Sequence, residues 1–290
     1  GTILLNDPDV LLPEVLTELE RALGPGAGQT VYIAGQTAAQ SAEVEQQISD
    51  AGYTPRRLGD SNRLGTAVKI ADEIVDLNPG TTTKVFVAEH ALFADALVAG
   101  AVAGDILNDG KADPILLNQR GASTIDPFTN TFLTAHPEIT AVELIGGEVA
   151  LSAGLATTLT TNFPATTLDR TAGADRFATA VALMQKHVID PDFIVVANGQ
   201  KEGLPGSGQA LEPTGLAASS AASGFFDALL AGPYSAGKQA ALVLTKAQEL
   251  PIPTQDYISS NIPGISHVLI IGSLELVSAA VEAQIEALFD

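Results

Sequence analysis

The chain has 290 residues, of which 46% are apolar and 17% are charged, and it contains neither cysteine nor tryptophan. This length and apolar content predict about two globular domains and exclude a disordered chain. The lack of cysteine excludes disulfides, thiolate metal sites and cysteine nucleophiles. The net charge of −20, from 34 acidic and 14 basic residues, argues against nucleic acid or anionic lipid as partners, because both attract clustered cations.

Short apolar strands alternate with helices along the whole chain. Continuous apolar runs without polar alternation are typical of strands that are buried on both faces. We therefore predict an α/β fold with mostly parallel, Rossmann-like sheets. The predicted elements are, in chain order, strand 3–6, strand 31–35, helix 63–75, strand 85–88, helix 94–107, strand 115–118, helix 127–135, strand 142–146, helix 152–160, strand 194–197, strand 242–245 and strand 268–272.

Three serines mark the starts of further helices. Ser41, Ser152 and Ser278 each follow the glycine that ends a predicted strand by six residues, and serine is a favoured N-cap residue. No membrane span is predicted, because the most apolar stretch, 91–107, is interrupted by acids. No signal peptide is visible either, and the abrupt start suggests a processed or truncated chain.

An internal repeat organises the chain at an offset of 113 residues, 170 minus 57. Arg57, Arg63, Thr66 and Ala67 recur as Arg170, Arg176, Thr179 and Ala180. The back half of the repeated unit occurs three times. We predict a second half of a first module at 1–56, a second module at 57–168 and a third at 169–290. The third carries a Gly/Ser/Pro-rich insertion at 200–224, a composition typical of a flexible surface loop.

The motif at 170–180, Arg-Thr-Ala-Gly-Ala-Asp-Arg-Phe-Ala-Thr-Ala, is followed by Ala197-Asn198-Gly199 and Asp227-Ala228-Leu229. This ordered set resembles the cell wall-binding repeat type 2 (CWB2) family over essentially the whole chain. The resemblance implies tandem Rossmann-like modules that pack with pseudo-threefold symmetry. It also implies a secreted, non-catalytic region that anchors proteins at the cell surface to an anionic wall polymer or surface polysaccharide, without a cofactor.

The chain departs from the family pattern at several points. Asn62 stands where the pattern has aspartate, Glu89-His90 stands where it has Asn-Gly, and the first unit lacks its front half. The equivalence of the sites is therefore open, and self-association to complete the first module is a further expectation. Two other functions stay open as well: surface assembly or adhesion through protein–protein contacts, and a sugar- or nucleotide-dependent Rossmann-like enzyme.

The arginine pairs are the strongest candidates for ligand binding, because guanidinium groups bind phosphate and carboxylate bidentately. The alternative is that each arginine pairs with a nearby acid, such as Asp60 or Asp175, or joins neighbouring modules. Asp95 and Asp227 are expected to cap helices in the first instance, and otherwise to hold a sugar hydroxyl or a metal beyond the strand ends. The candidate ligand-binding residues are Arg57, Arg63, Thr66, Asp95, Arg170, Asp175, Arg176, Thr179, Asn198 and Asp227.

No metal centre or cofactor is predicted. The four histidines do not fall at metal-ligand spacing, and the near-P-loop at 232–239 has glutamine where serine or threonine belongs. An anionic ligand conflicts with a net charge of −20. Binding must then rely on local arginines, hydroxyl-rich hydrogen bonding or bridging divalent cations, unless the glycan is neutral.

Overall fold

A computed structural model describes residues 2–26, 28–104, 112–200 and 225–290. The insertion expected at 200–224, apart from its first residue, and the last residues of the helix expected at 94–107 lie outside these ranges. The helices are α1 (Pro13–Leu23), α2 (Ala42–Asp50), α3 (Arg63–Leu77), α4 (Ala94–Ala103), α5 (Pro127–Ala135), α6 (Ala153–Asn162), α7 (Arg176–His187), α8 (Phe225–Ala236), α9 (Ile252–Asn261) and α10 (Ala279–Glu286). The strands are β1 (Thr30–Ala34), β2 (Thr54–Leu58), β3 (Lys84–Glu89), β4 (Ile115–Asn118), β5 (Ala141–Ile145), β6 (Thr167–Thr171), β7 (Ile194–Asn198), β8 (Ala241–Thr245) and β9 (Val268–Ile271).

The strands form three parallel sheets. The first sheet has the order β1-β2, the central sheet β4-β3-β5-β6 and the third sheet β8-β7-β9. Every strand pair is parallel. Strands β7 and β8 are buried along their whole length, as their unbroken apolar runs predict. The α/β architecture with repeated parallel units is therefore confirmed.

The repeat in the sequence is out of phase with the sheets. The expected boundaries at 57 and 169 fall inside β2 and β6, the last strands of the first and central sheets. The helices that follow them pack on the next sheet, α3 against β4 and α7 against β8. The repeated motif thus closes one sheet and begins the helix that covers the next.

The strand expected at 3–6 is not formed, and that expectation was wrong. Its counterparts β4 and β8 pair with β3 and β7, whereas no described strand occupies the corresponding place in the first sheet. A strand without a ladder partner gains no backbone hydrogen bonds. The side chain of Leu4 still packs against the small apolar core of the first sheet.

Two larger apolar cores hold the other sheets. One lies between the central sheet and the helices α3, α5 and α6. The other joins α4 to α7, α8 and the third sheet, and it includes Phe86 and Ile145 of the central sheet, so it links these two sheets. Among the described residues, no helix is long and apolar enough to cross a membrane.

Candidate functional site

Four parallel strands bring their carboxyl ends to one edge of the central sheet. The chain leaves β3 to form β4 on one side of it and β5 on the other, so the strand order reverses between β3 and β5. Ligands of open parallel sheets bind in the crevice at such a reversal. Here the crevice is a cavity of about 310 Å³, which we call the sheet-edge cleft. Its size lies at the lower end of the range for small-molecule pockets.

Charges of both signs line the sheet-edge cleft. They come from the strand ends and the loops after them, and from the first turns of α4 and α7. Leu92 and Val149 add an apolar rim, with 37% and 76% of their surface exposed. The charged lining residues are Glu89, Asp95, Arg120, Glu148, Asp175 and Arg176.

Asp95 lies in the first turn of α4, directly against the end of β5. The N-cap position is Phe93 and α4 has no side-chain cap, so the expected capping role of Asp95 was wrong. Gly146 makes room for the carboxylate: its φ is 111°, and a Cβ there would lie 2.6 Å from Asp95 Oδ2. Burial and the nearby Glu89 raise the pKa of Asp95 to about 6, against the opposing effect of two arginines.

Glu89 ends β3 and is held by two donors. Its side chain is 1% exposed; Arg120 Nη1 donates to Oε1 at 3.1 Å, and the Ala91 N–H donates to Oε2 at 3.1 Å. The buried carboxylate is therefore offset by Arg120, whose side chain is 39% exposed. Arg120 itself lines the cleft.

Arg176 begins α7 on the opposite wall of the cleft. Its Nη1 donates to the Gly199 carbonyl at 2.7 Å, and the guanidinium stands 6.0 Å from the centroid of the Phe93 ring. It makes no other hydrogen bond to the described residues. One edge of this guanidinium thus supports the loop after β7, and among the described residues its other N–H groups have no hydrogen-bond acceptor.

The first arginine of each pair binds the loop at the end of a strand. Arg57 donates to the carbonyls of Gly35 at 3.0 Å and Ser41 at 3.2 Å, and its side chain pairs with Glu45. Arg170 donates to the carbonyls of Gly146 at 2.6 Å and Leu151 at 2.7 Å. Both copies therefore fix the shape of the loop after β1 or β5, a role that the sequence did not suggest; only Arg57 also pairs with an acid, and this acid is Glu45.

The other repeated polar residues also bind backbone. Arg63 Nη1 donates to the His90 carbonyl at 3.1 Å. Thr66 and Thr179 accept the N–H groups of Asp60 and Gly173, at 3.1 and 3.0 Å. These contacts set the turn between a sheet and its following helix.

Asp175 and Asn62 occupy equivalent positions in the repeat, and each caps the start of the helix that follows it. Asp175 Oδ1 accepts the N–H groups of residues 177 and 178 at the start of α7. Asn62 Oδ1 accepts those of residues 64 and 65 at the start of α3. The departure from the family pattern at Asn62 thus preserves the helix cap, although it removes a charge.

The third sheet has the same backbone arrangement at its carboxyl edge as the central sheet. Asp227, in the first turn of α8, lies against Gly272, where a Cβ would stand 3.1 Å from its Oδ2. Burial raises the pKa of Asp227. Asn198, which takes the place of Glu89, is fully buried; its Nδ2 donates to the Leu276 carbonyl at 2.5 Å, and its Oδ1 accepts the Gln200 N–H.

The structure brings four of the ten candidates together in the sheet-edge cleft: Asp95, Asp175, Arg176 and Thr179. The sequence comparison missed Arg120 and Glu148, because each has no matching residue in the other repeat. In the third sheet the loop after β8 begins Lys246-Ala247 instead. Their positions just beyond the ends of β4 and β5 were the feature of the sequence that could have identified them as site residues.

A buried ionic cluster was also missed. Glu143, in the middle of β5, is 2% exposed and contacts Lys84 at 2.8 Å, Lys186 at 2.7 Å and His187 at 3.0 Å. Burial alone would raise the pKa of Glu143, but hydrogen bonds from His187, Lys186, Lys84 and Thr171 hold it well below its usual range. The cluster joins the central sheet to α7.

The same junction recurs one module earlier with the charges reversed. Glu73 of α3, the repeat counterpart of Lys186, pairs with Arg56 of β2 and accepts the Tyr32 hydroxyl at 2.7 Å. Both clusters lie between a sheet and the helix that leads to the next one. The helix carries the acid in one junction and the base in the other, so each helix is complementary in charge to the sheet it follows.

Comparison with known proteins places these features in a family. Residues 57–156 and 170–282 match the family model of cell wall binding domain 2 (CWB2). N-acetylmuramoyl-L-alanine amidase LytC of Bacillus subtilis (strain 168) is 25% identical over 284 residues, which are 98% of this chain and 48% of that protein. The chain therefore spans about half the length of the curated relative it matches.

Two solved structures share the fold. Cwp8 from Clostridium difficile has a TM-score of 0.75 and 22% identity, covering 99% of this chain and 43% of the other. Cwp6 from Clostridium difficile has a TM-score of 0.74 and 21% identity, covering 100% of this chain and 40% of the other. At these identities the similarity shows the fold alone.

Proposed function

This chain belongs to the cell wall binding domain 2 family, which places it at the cell wall, and we propose that it anchors a surface protein there. In this proposal it binds an anionic wall polymer or surface polysaccharide, without catalysis, through the sheet-edge cleft. The family match and the relatives support a wall-binding role. The amidase activity in the name of LytC belongs to a protein of which this chain covers 48%, and we infer no such activity here.

The observation that carries the proposal is the pair of arginines in the cleft. Arg120 and Arg176 each use one nitrogen on a protein partner, and their remaining donors fit the oxygens of a phosphate or carboxylate. Of the ten candidates, Arg176, Asp95 and Asp175 are the ones we propose to contact the polymer. The residues Arg57, Arg63, Arg170, Thr66, Thr179, Asn198 and Asp227 are proposed to shape the loops instead.

The rim and the acids of the cleft suit a carbohydrate. Leu92 and Val149 present apolar surface to which the face of a sugar ring can pack, and carboxylates such as Glu148 can accept sugar hydroxyl groups. The arginines form a local exception on a surface of net charge −20. Added salt should therefore weaken binding by screening these few contacts.

The test is co-sedimentation of the protein with purified wall material stripped of its own proteins. Arg120→Ala should weaken binding about tenfold or more, because it removes a charge-assisted hydrogen bond. Arg21→Ala is the matched control for net charge: Arg21 is exposed on α1 and pairs with no described residue other than Glu18. Failure of the wild-type protein to pellet at low salt would contradict anchoring. Equal effects of the two variants would show that the polymer does not bind in the cleft.

A second proposal is self-association, and it rests on an open sheet edge. Gly35 donates to the Leu58 carbonyl in β2, so the alternate residues Thr30, Tyr32 and Ala34 direct their backbone groups to the other edge of β1. Within the described part of the chain, that edge and one edge of β9 have no neighbouring strand. An apolar groove of about 120 Å³ lies beside β1.

We propose that β1 of one copy pairs in parallel with β9 of another. Light scattering after size exclusion should then show a mass that rises with protein concentration. Ala34→Pro removes one outward N–H and should keep the protein monomeric, whereas a monomer at all concentrations in the wild type would refute the pairing.

A further inference from the structure

The balance of charge inside the sheet-edge cleft depends on one carboxylate. Glu89 and Arg120 form an ion pair and offset each other. Asp95, Glu148, Asp175 and Arg176 also line the cleft, and electrostatic interaction with both arginines acts on Asp95. When Asp95 is ionised, the cleft is lined by four acids and two arginines, so its net charge is −2 and it does not attract an anion.

The groups that face Asp95 come from every element around it. Glu89 lies at the end of β3, Arg120 in the loop after β4, Glu148 in the loop after β5, and Asp175 and Arg176 at the start of α7. Three of the other five are acids, and Glu89 is close enough to disfavour the charged form of Asp95. An anion that enters this cleft adds one more negative charge beside the carboxylate.

Protonation of Asp95 removes the repulsion between its carboxylate and an entering anion. Its carboxyl then carries no charge, and the net charge of the lining residues rises from −2 to −1, so that an anion beside Arg176 meets one acid fewer. Each negative group that approaches a carboxyl favours its neutral form, and binding and protonation favour each other reciprocally.

We propose that an anionic group of the wall polymer enters the sheet-edge cleft together with a proton, which Asp95 takes up. This coupling rests on the proposed function, and it adds that the affinity for the wall polymer increases as the pH falls. Phosphodiesters and most carboxylates keep their charge down to about pH 5. Affinity should therefore rise by up to about tenfold per pH unit as the pH falls from 8 towards 6, and level off below.

The experiment measures co-sedimentation with protein-free wall material from pH 5 to pH 8 at constant ionic strength. Asp95→Asn keeps the size of the side chain and removes its charge, so it should bind at pH 7 as tightly as the wild type at pH 5, with a flat profile. Asp227→Asn makes the same change at the third sheet and should keep the wild-type slope. A slope retained in Asp95→Asn would overturn the proposal.

Calorimetry on the wild-type protein keeps the proposal testable if Asp95→Asn does not fold. Titration with solubilised wall polymer at pH 7, in two buffers of different ionisation enthalpy, should show net uptake of up to one proton per site. Binding without proton uptake and with a flat pH profile overturns proton coupling but leaves anchoring intact. No binding at any pH overturns the proposed function and the coupling together.

Discussion

The third sheet has the same strand order as the first three strands of the central sheet, and both have an aspartate–glycine contact at their carboxyl edges, but the charges around it differ. Asp95 lies against Gly146, and Asp227 lies against Gly272 in the same way. Glu89 of the central sheet is replaced by Asn198, and Glu148 by Leu274. The comparison teaches that the repeat preserves the backbone of the crevice, while residues that do not repeat supply its chemistry.

The contrast continues inside the sheets. Glu143 on β5 corresponds to Leu269 on β9 when the two strands are aligned on their pairing with β3 and β7. The central strand therefore carries a buried ion cluster to dock α7, whereas the third sheet has an apolar side chain at this place. Substitutions of Glu143, of the two aspartates and of two helix-cap serines test this difference between the sheets.

The largest effect is expected for Glu143→Leu, which gives the central strand the side chain of the third. It leaves Lys84 and Lys186 without their buried partner, so the free energy of unfolding should fall by roughly 3–5 kcal/mol in urea titration. Glu249→Leu is the control: Glu249 pairs with Lys246 on the surface and should change stability by about 0.5 kcal/mol or less. Equal losses would mean that the cluster adds nothing to docking.

The pH dependence of this contribution has a definite sign. Because the pKa of Glu143 is held below its usual value, the stabilisation is present above about pH 4 and is lost as the pH falls further. The difference between Glu143→Leu and wild type should therefore shrink in acid unfolding experiments.

Asp95→Asn should raise stability at neutral pH by about 3 kcal/mol. Burial raises the pKa of Asp95 to about 6, so the folded protein holds this proton more tightly than the unfolded chain and loses stability as the pH rises from 4 to 6. Urea titrations of the variant and wild type should differ at pH 7 and converge at pH 4. Asp227→Asn should show the same sign with a smaller effect, since Asp227 is less buried.

A loss of stability at pH 7 in Asp95→Asn would contradict this account. It would mean that Arg120 and Arg176 stabilise the ionised carboxylate more than burial penalises it. The central and third sites would then differ in the sign of the effect as well as its size.

The smallest effect distinguishes two helix caps. Ser152 accepts the Leu155 N–H at 3.1 Å, so Ser152→Ala should cost about 1 kcal/mol. Ser278 has the same N-cap position before α10 but makes no cap bond, and its buried Oγ has no partner in the described structure. Ser278→Ala should leave the thermal midpoint unchanged or slightly raised; a loss equal to that of Ser152→Ala would show that the two caps are equivalent.

Much of the fold followed from local patterns. The apolar runs predicted strands that the structure forms at 85–88, 142–146 and 194–197 to within a residue or two, because strands buried on both faces have no polar alternation to obscure them. The run at 3–6 was equally apolar but forms no strand, since pairing depends on a neighbour and not on the run itself.

The candidate site was harder to predict. The repeat pointed to Arg57 and Arg170 as binding residues, yet both donate to loop carbonyls. A residue recurs in a repeat when the fold requires it, whether or not it binds a ligand. Arg120 occurs once, and its importance comes only from lying beside Glu89 at the sheet edge. Similarity between repeats therefore finds the scaffold more readily than the groups that distinguish one module from another.

The sequence by itself determined the α/β class, the repeat at 113 residues, the parallel strands and the family to which the chain belongs. Only the tertiary structure decided that Arg120 and Arg176 share one cleft with Asp95 and that Glu143 is buried among cations. The physical reason is that hydrophobic periodicity acts over a few neighbouring residues. Charge balance and burial instead arise where distant strand ends and helix starts meet in space.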